Sequence, residues 1–273
     1  MMCAQARSLH IGLNGVDPNA YEGWDGSLNA CEADAGAMLA IAKSQGFASC
    51  ATLLTKDATA ANVLAGIGEA AKQLQRGDLF VLTYSGHGGR IPDPENAGKQ
   101  VDTWALFDRM LISHELYRAW SDFAEDVRIF VTSDSCHSGT VTRFVPILKG
   151  RGAHHGKSRA VPSFVARNAY VAHQAMYDQL SRQNPQSLQS QVGVPVLLIS
   201  GCQDNQESSD GDSNGLFTSE LLVVWRGGQF SGSYATFYQD ILNAMPDLDT
   251  QRPNYFALGP TQDVWQKDRP FVI

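Results

Sequence analysis

Two apolar runs, each ending in a Gly- and Ser-containing motif, constrain the fold of this chain more than any other feature. Residues 79–83 lead into YSGHGG at 84–89, and residues 127–131 lead towards DSCHSG at 134–139. Short apolar runs bounded by turn residues are typical of buried strands. The carboxyl ends of parallel strands share one edge of the sheet, where α/β proteins build their sites. The pattern therefore predicts that a histidine and a cysteine meet at that edge.

The rest of the chain alternates between extended and helical patterns. Apolar residues at Val63, Ile67 and Leu74 share one face of a predicted amphipathic helix, and Asn29 is the predicted N-cap of an earlier helix. The alternation predicts an α/β fold with a mostly parallel central sheet flanked by helices on both faces. The predicted strands cover residues 10–14, 52–55, 79–83, 127–131, 194–200 and 254–258, and the predicted helices cover residues 30–45, 59–76, 112–123, 164–182, 216–225 and 234–245.

Two segments carry neither pattern. Residues 90–103 are polar and contain two prolines, which predicts a surface loop. Residues 143–163 alternate Lys and Arg with Gly, His and Ala, which predicts a basic loop. We expect a single domain over residues 1–273, divided into a first part at 1–142, a basic loop and helix at 143–190, and a last part at 191–273.

Composition and charge argue against several classes of protein. The formal net charge of −7 disfavours nucleic acid and anionic membranes as partners. The five cysteines are odd in number and show no CxxC spacing, so we expect reduced thiols in the cytoplasm and neither a disulfide framework nor a zinc site. The sequence predicts no signal peptide and no membrane span.

The histidine and the cysteine have the chemistry of a nucleophile and its base. A thiol attacks a carbonyl only as a thiolate, and an imidazole can take its proton and later return it to a leaving amine. His87 and Cys136 supply these groups from different strands. The backbone N–H groups of Gly88 and Cys136 are the predicted donors to the developing oxyanion.

The same motifs predict an acidic recess beside the nucleophile. The two-residue period of a strand places Ser85 with His87, and Asp134 with Cys136. Asp34 lies three residues after Cys31 near the start of the first predicted helix, so the two share one helix face. Carboxylates in a recess favour an arginine or lysine side chain.

These motifs resemble those of metacaspases, and of the bacterial orthocaspases in particular. Matching stretches occur at residues 28–35, 84–89, 104–108, 134–139 and 199–206. The resemblance implies a caspase-hemoglobinase fold and a cysteine endopeptidase that cleaves peptides or proteins after Arg or Lys. It implies His87 and Cys136 as the catalytic dyad. It also implies a pocket for the basic side chain formed by Cys31, Asp34, Ser85 and Asp134. We expect a monomer that acts on such substrates.

The calcium site of many metacaspases is altered in this sequence. Ser113-His114 stands where the family has an Asp-Asp pair, and Arg143 stands where an acid is expected. Asp102 matches one remaining ligand. Because calcium needs six to eight oxygen ligands, we expect weak binding or none, and activity with little or no calcium dependence.

Two other functions remain open from the sequence. A catalytically idle caspase-like module could act as a binding or regulatory protein, which the altered calcium cluster makes conceivable. A serine esterase of the α/β-hydrolase type would need GxSxG at a strand-to-helix turn, and no such pentapeptide follows the predicted strands.

Overall fold

The computed structural model describes residues 4–96, 98–136, 157–203, 206, 208–260, 265 and 267–273 of the chain. The strands in these ranges are β1 (Ala6–Gly12), β2 (Ser49–Leu54), β3 (Leu79–Ser85), β4 (Gly88–Pro92), β5 (Gln100–Ala105), β6 (Met110–Ile112), β7 (Arg128–Asp134), β8 (Val196–Ser200) and β9 (Asn254–Leu258). The helices are α1 (Cys31–Ser44), α2 (Ala60–Gln73), α3 (Ser113–Trp120), α4 (Ser163–Ala172), α5 (Gln174–Gln183), α6 (Leu216–Trp225) and α7 (Tyr234–Ala244).

Six strands form the main sheet in the order β2-β1-β3-β7-β8-β9. Neighbouring strands are parallel except for the pair β8 and β9, which is antiparallel. The predicted α/β architecture with a mostly parallel sheet is therefore confirmed. Strands β3 and β7 are direct neighbours with Ser85 opposite Asp134, so the two motifs leave the sheet side by side.

The main sheet separates two apolar clusters because successive side chains of a strand point to opposite faces. Along β3, Phe80 and Leu82 pack on the side of α2 and α3. Leu79 and Val81 pack on the side of α1, α6 and α7. A strand covered on both faces is apolar throughout, and this is why β3 appears in the sequence as an unbroken apolar run.

A second sheet, of β4, β5 and β6, corrects the prediction of a surface loop at residues 90–103. Strands β4 and β5 pair antiparallel, and Ile91 and Val101 are buried against residues of α4 and α5. The order β4-β5-β6 puts Pro92 on an edge strand, where its missing N–H costs no ladder hydrogen bond. The loop prediction was wrong because the few apolar residues of this segment are separated by polar ones, so the sequence shows no apolar run typical of a strand.

Two helices differ from their predicted form. The helix expected at 164–182 is divided into α4 and α5, with His173 between them at φ −117° and ψ 27°. The N-cap predicted at Asn29 is also wrong, because the side chain of Asn14 accepts from the N–H groups of Cys31 and Glu32 at 2.9 and 3.3 Å. No helix in the described ranges combines the length and the apolar character that crossing a bilayer requires.

Candidate active site at the carboxyl edge of the sheet

The turns that follow β3 and β7 bring the two sequence motifs into contact. Gly88 lies directly against the second turn, since a Cβ atom on residue 88 would be 1.7 Å from the carbonyl oxygen of Cys136. Only a residue without a side chain permits this approach. The glycine after His87 is therefore what allows the histidine turn and the cysteine turn to meet.

His87 is buried and held by one ring nitrogen. Its Nε2 lies 3.0 Å from the carbonyl oxygen of Gly26, and the ring of Trp24 packs against the imidazole at a centroid distance of 4.7 Å. The other nitrogen, Nδ1, is buried, and within the described ranges no group lies at hydrogen-bonding geometry to it. Burial lowers the pKa of His87 to about 4, and the Gly26 carbonyl opposes that shift. The imidazole is therefore neutral at physiological pH, as a base must be.

Cys136 is also fully buried, with 0% of its surface exposed. The N–H of Ser208 donates to its sulfur at 3.0 Å. Among the described contacts no hydrogen bond joins this sulfur to His87, so the structure places the two side chains in one site without a direct link.

A short stretch of the chain, residues 157–161, lies across this site and is called the crossing segment below. Its Arg159 carbonyl oxygen accepts from the N–H groups of Gly88 at 2.9 Å and of Cys136 at 3.4 Å. Ser158 forms an antiparallel bridge with Ser209, and Ala160 forms a parallel bridge with Gly88. The two backbone N–H groups predicted to bind an oxyanion are thus directed at one peptide carbonyl oxygen.

The side chain of Arg159 fills an acidic pocket and is fully buried. Its Nη1 donates to Ser85 Oγ at 2.9 Å and lies 3.0 Å from Asp134 Oδ2. Its Nη2 donates to Asp34 Oδ2 at 2.8 Å and to Asp210 Oδ1 at 2.9 Å. The pocket therefore places three carboxylates around one guanidinium.

This pocket contains more negative charge than one arginine neutralises. Burial together with the nearby Asp134 carboxylate raises the pKa of Asp34, although Arg159 opposes the shift. Burial alone would lower the pKa of Arg159, but the surrounding acids outweigh it and raise that pKa well above its ordinary value. Burial raises the pKa of the Cys31 thiol to about 12, so this thiol remains protonated beside the pocket.

The space for the guanidinium also depends on a glycine at the start of α6. A Cβ atom on Gly215 would lie 2.5 Å from Arg159 Nη2 and 2.5 Å from Asp134 Oδ2. The N–H of Gly215 donates to Asp34 Oδ1 at 3.0 Å, and the N–H of Thr218 donates to Asp134 Oδ2 at 3.1 Å. These backbone contacts hold the two predicted pocket acids in addition to their contacts with Arg159.

The structure brings every predicted catalytic, oxyanion and pocket residue to this one edge of the main sheet. Sequence reasoning missed Gly26, Ser208, Asp210 and Gly215, all of which lie in loops. Asp210 belongs to an acidic stretch that also contains Asp212, and nothing local distinguishes the buried acid from the exposed one. Only their positions in the folded chain separate them.

Asp102 and Glu115, which directly follows Ser113-His114, are the two acids at the expected calcium position. Asp102 Oδ1 accepts from Arg90 Nε at 2.7 Å, and Glu115 binds Arg109 at 2.7 and 2.8 Å. His114 is buried, and burial lowers its pKa. Arg143 lies outside the described residues. No group of three or more His, Cys, Asp or Glu side chains within the described ranges is arranged to hold a metal ion. Pairing of both acids with arginines disfavours a calcium site at this position.

Comparisons with known proteins identify the family of this site. The model of the caspase domain family matches residues 16–264. This chain belongs to the caspase domain family. The resemblance stated from the motifs is therefore confirmed, together with the caspase-hemoglobinase fold, and the family is one of cysteine-type peptidases.

Named metacaspases are among the relatives of this chain, and a solved crystal structure shares its fold. Metacaspase-1 of Emericella nidulans is 24% identical over 93% of this chain and 70% of its own length. Metacaspase-7 of Arabidopsis thaliana is 32% identical over 49% of this chain and 34% of its own. The crystal structure of protein GSU0716 from Geobacter sulfurreducens superposes with a TM-score of 0.88 at 46% identity, covering 98% of this chain and 99% of that one.

Proposed function

We propose that the chain is a cysteine endopeptidase that cleaves after arginine or lysine through a Cys136/His87 dyad. The crossing segment carries this proposal, because it lies in the site as a substrate would. Arg159 occupies the acidic pocket while its own carbonyl oxygen meets the Gly88 and Cys136 amides. An arginine in that pocket therefore delivers its following peptide bond to the nucleophile.

The chemistry follows from the positions of these groups. The Cys136 sulfur attacks the carbonyl carbon of the basic residue, and the neutral imidazole of His87 takes the thiol proton. The Gly88 and Cys136 N–H groups donate to the oxygen that becomes negative. His87 then protonates the leaving amine, which breaks the peptide bond and leaves a thioester. Water, activated by the same imidazole, hydrolyses the thioester and restores the thiol.

Little or no calcium dependence is part of this proposal. The bonds of Asp102 to Arg90 and of Glu115 to Arg109 support it, since both acids are engaged by cations of the protein itself. With a chelator, the rate of peptide cleavage is expected to stay within about twofold of the rate without it, because no step of the mechanism uses a metal.

The test compares matched peptides that differ only at the residue before the cut. The Arg159→Ala chain is used so that the pocket is free, and hydrolysis of peptides with Arg, Lys or Asp at that residue is followed with and without a chelator. Cleavage after Arg and Lys but not Asp, unaffected by the chelator, is expected. Cys136→Ala should abolish it, whereas Cys50→Ala, in the outer strand β2, should not. Continued turnover in Cys136→Ala would refute the dyad.

An alternative is a catalytically idle module that binds a partner. The burial of both His87 and Cys136 beneath the crossing segment favours this second function. A peptidyl chloromethylketone ending in arginine separates the two. Alkylation of Cys136 in the Arg159→Ala chain, located by mass spectrometry, is expected for the peptidase. A Cys136 that stays unmodified while the same peptide binds would favour the idle module.

A further inference from the structure

Asp210 contacts the guanidinium of Arg159 although it belongs to neither the YSGHGG motif nor the DSCHSG motif. We propose that Asp210 makes this pocket select arginine over lysine, and that it also aligns the residues preceding the cleaved bond. The inference rests on the proposed function, because it defines the side-chain preference of the same site.

Different acceptors hold the two terminal nitrogens of the guanidinium. Nη1 is bound by Ser85 and Asp134, and Nη2 is bound by Asp34 and Asp210. Asp34 also accepts from Ser85 Oγ at 2.7 Å, which connects it to the first set. Asp210 has no described contact with Ser85 or Asp134. It is therefore the acceptor that belongs to the second nitrogen alone.

Lysine cannot satisfy both sets of acceptors. It carries one compact ammonium where arginine has a planar fork of donors, and its nitrogen lies nearer the backbone than the terminal nitrogens of arginine. An ammonium bound at Ser85 and Asp134 leaves Asp210 without its cation. The side chain of Asp210 is only 2% exposed. Because a buried carboxylate without its cation raises the free energy of the complex, binding of a lysine is weakened and binding of an arginine is not.

Asp210 is also connected to the rest of the site through its backbone and its second oxygen. Its N–H donates to the Lys157 carbonyl at 2.8 Å, two residues before Arg159. Its Oδ2 accepts from the Asn29 N–H at 2.7 Å, just before α1. One residue thus holds the pocket side chain, the preceding backbone and the helix that carries Asp34. Binding of an arginine therefore places the backbone before the cleaved bond in register.

The experiment measures discrimination between two peptides, Ala-Ser-Arg-Ala-Val and Ala-Ser-Lys-Ala-Val. Both are assayed with the Arg159→Ala chain and with Asp210→Asn and Asp212→Asn made in that background. Asp212 is exposed on the same loop and is the matched control. Because both peptides are measured on one sample, the Arg/Lys ratio of kcat/KM does not depend on the fraction of folded protein. If Asp210→Asn does not fold, Asp210→Ser replaces it.

Asp210→Asn is expected to lower kcat/KM for the arginine peptide by roughly ten- to a hundredfold, mainly through KM, which corresponds to losing a hydrogen bond between charged groups. The lysine peptide should lose less than about threefold, so the ratio collapses while Asp212→Asn keeps it. Equal losses for both peptides, or no loss, would overturn the proposal.

Binding of the same peptides, followed by calorimetry, distinguishes this failure from a failure of the proposed function. If the Arg159→Ala chain hydrolyses neither peptide, the peptidase is refuted. The Arg/Lys affinity ratio still decides the role of Asp210: a preference for arginine that Asp210→Asn removes supports it, and a preference that survives Asp210→Asn overturns it.

Discussion

At the scale of single residues, His87 carries a specific pH dependence. Its imidazole must be neutral to accept a proton, and burial beneath the crossing segment lowers the pKa of His87 to about 4. Because that segment lies where bound substrate would, this pKa describes the substrate complex. We expect kcat to persist to about pH 5 and to fall as the pH drops through about 4. The acid limb of kcat/KM should lie at higher pH than that of kcat. It reports the enzyme without bound substrate, in which the imidazole is exposed to water and its pKa is lowered less.

The two acid limbs are measured on the Arg159→Ala chain with an arginine peptide, between about pH 3.5 and 8. Replacing the exposed His173 by Gln is the control and should leave both limbs unchanged. Coincident limbs for kcat and kcat/KM would show that occupancy of the site does not bury His87 in the way the crossing segment does.

The part of the candidate site that lies at or near the ends of the strands could be predicted from the sequence. Ser85 and Asp134 come together because their strands are neighbours in register, and His87 and Cys136 lie two residues further on, in the turns that follow these strands. Asp210 and Gly26 could not be predicted in the same way. Each approaches the site from a loop, and a loop has no period that relates a residue's position in the chain to its position in space.

At the scale of elements, the crossing segment predicts a self-cleavage site. The Arg159 carbonyl oxygen accepts from the Gly88 and Cys136 N–H groups, and the N–H of Val161 donates to the Gly88 carbonyl at 2.8 Å on the far side of the Arg159–Ala160 bond. We expect the purified chain to convert slowly into fragments 1–159 and 160–273 as water is added across this bond. The two fragments should stay associated, because Val161 is buried in the cluster around the second sheet.

Mass spectrometry and N-terminal sequencing over time follow this cleavage. Arg159→Ala and Cys136→Ala should remain intact at the bond. Lys157→Ala should still be cut, because the Lys157 side chain is exposed and lies outside the acidic pocket. A chain that hydrolyses arginine peptides but is cut only at other basic residues would contradict the assignment of this bond. Residues 143–156 of the predicted basic loop lie outside the described residues.

Among the elements, those with a strong local sequence pattern were predicted and those defined by pairing were not. Strand β3 is an unbroken apolar run bounded by turn residues, and helix α2 follows the 3.6-residue pattern closely. Strands β4 and β5 are held by pairing with each other and by packing of α4 and α5, which sequence periodicity does not report. The break at His173 depends similarly on how two short helices pack against that small sheet.

At the scale of the whole molecule, His10 links stability to pH. It lies in the middle of β1, with Nδ1 2.9 Å from Thr83 Oγ1 and Nε2 2.8 Å from Ser8 Oγ. Burial lowers the pKa of His10 to about 3 from its ordinary 6.5. Below pH 6.5 the unfolded chain therefore binds a proton that the folded chain does not, and the free energy of unfolding falls as the pH is lowered towards 3.

Replacing His10 by Gln removes this titration while keeping a donor and an acceptor for the two hydroxyls. At pH 5 the proton taken up by the unfolded parent corresponds to about 2 kcal/mol, from 1.36 kcal/mol per pKa unit. Denaturant unfolding at several pH values should show a shallower loss of stability between pH 6.5 and 4 in His10→Gln than in the parent. The exposed His173→Gln variant should follow the parent. Parallel curves for parent and His10→Gln would mean that His10 binds a proton in the folded sheet. The central strands would then contain a buried charge, which the neutral hydroxyl partners of His10 are poorly suited to stabilise.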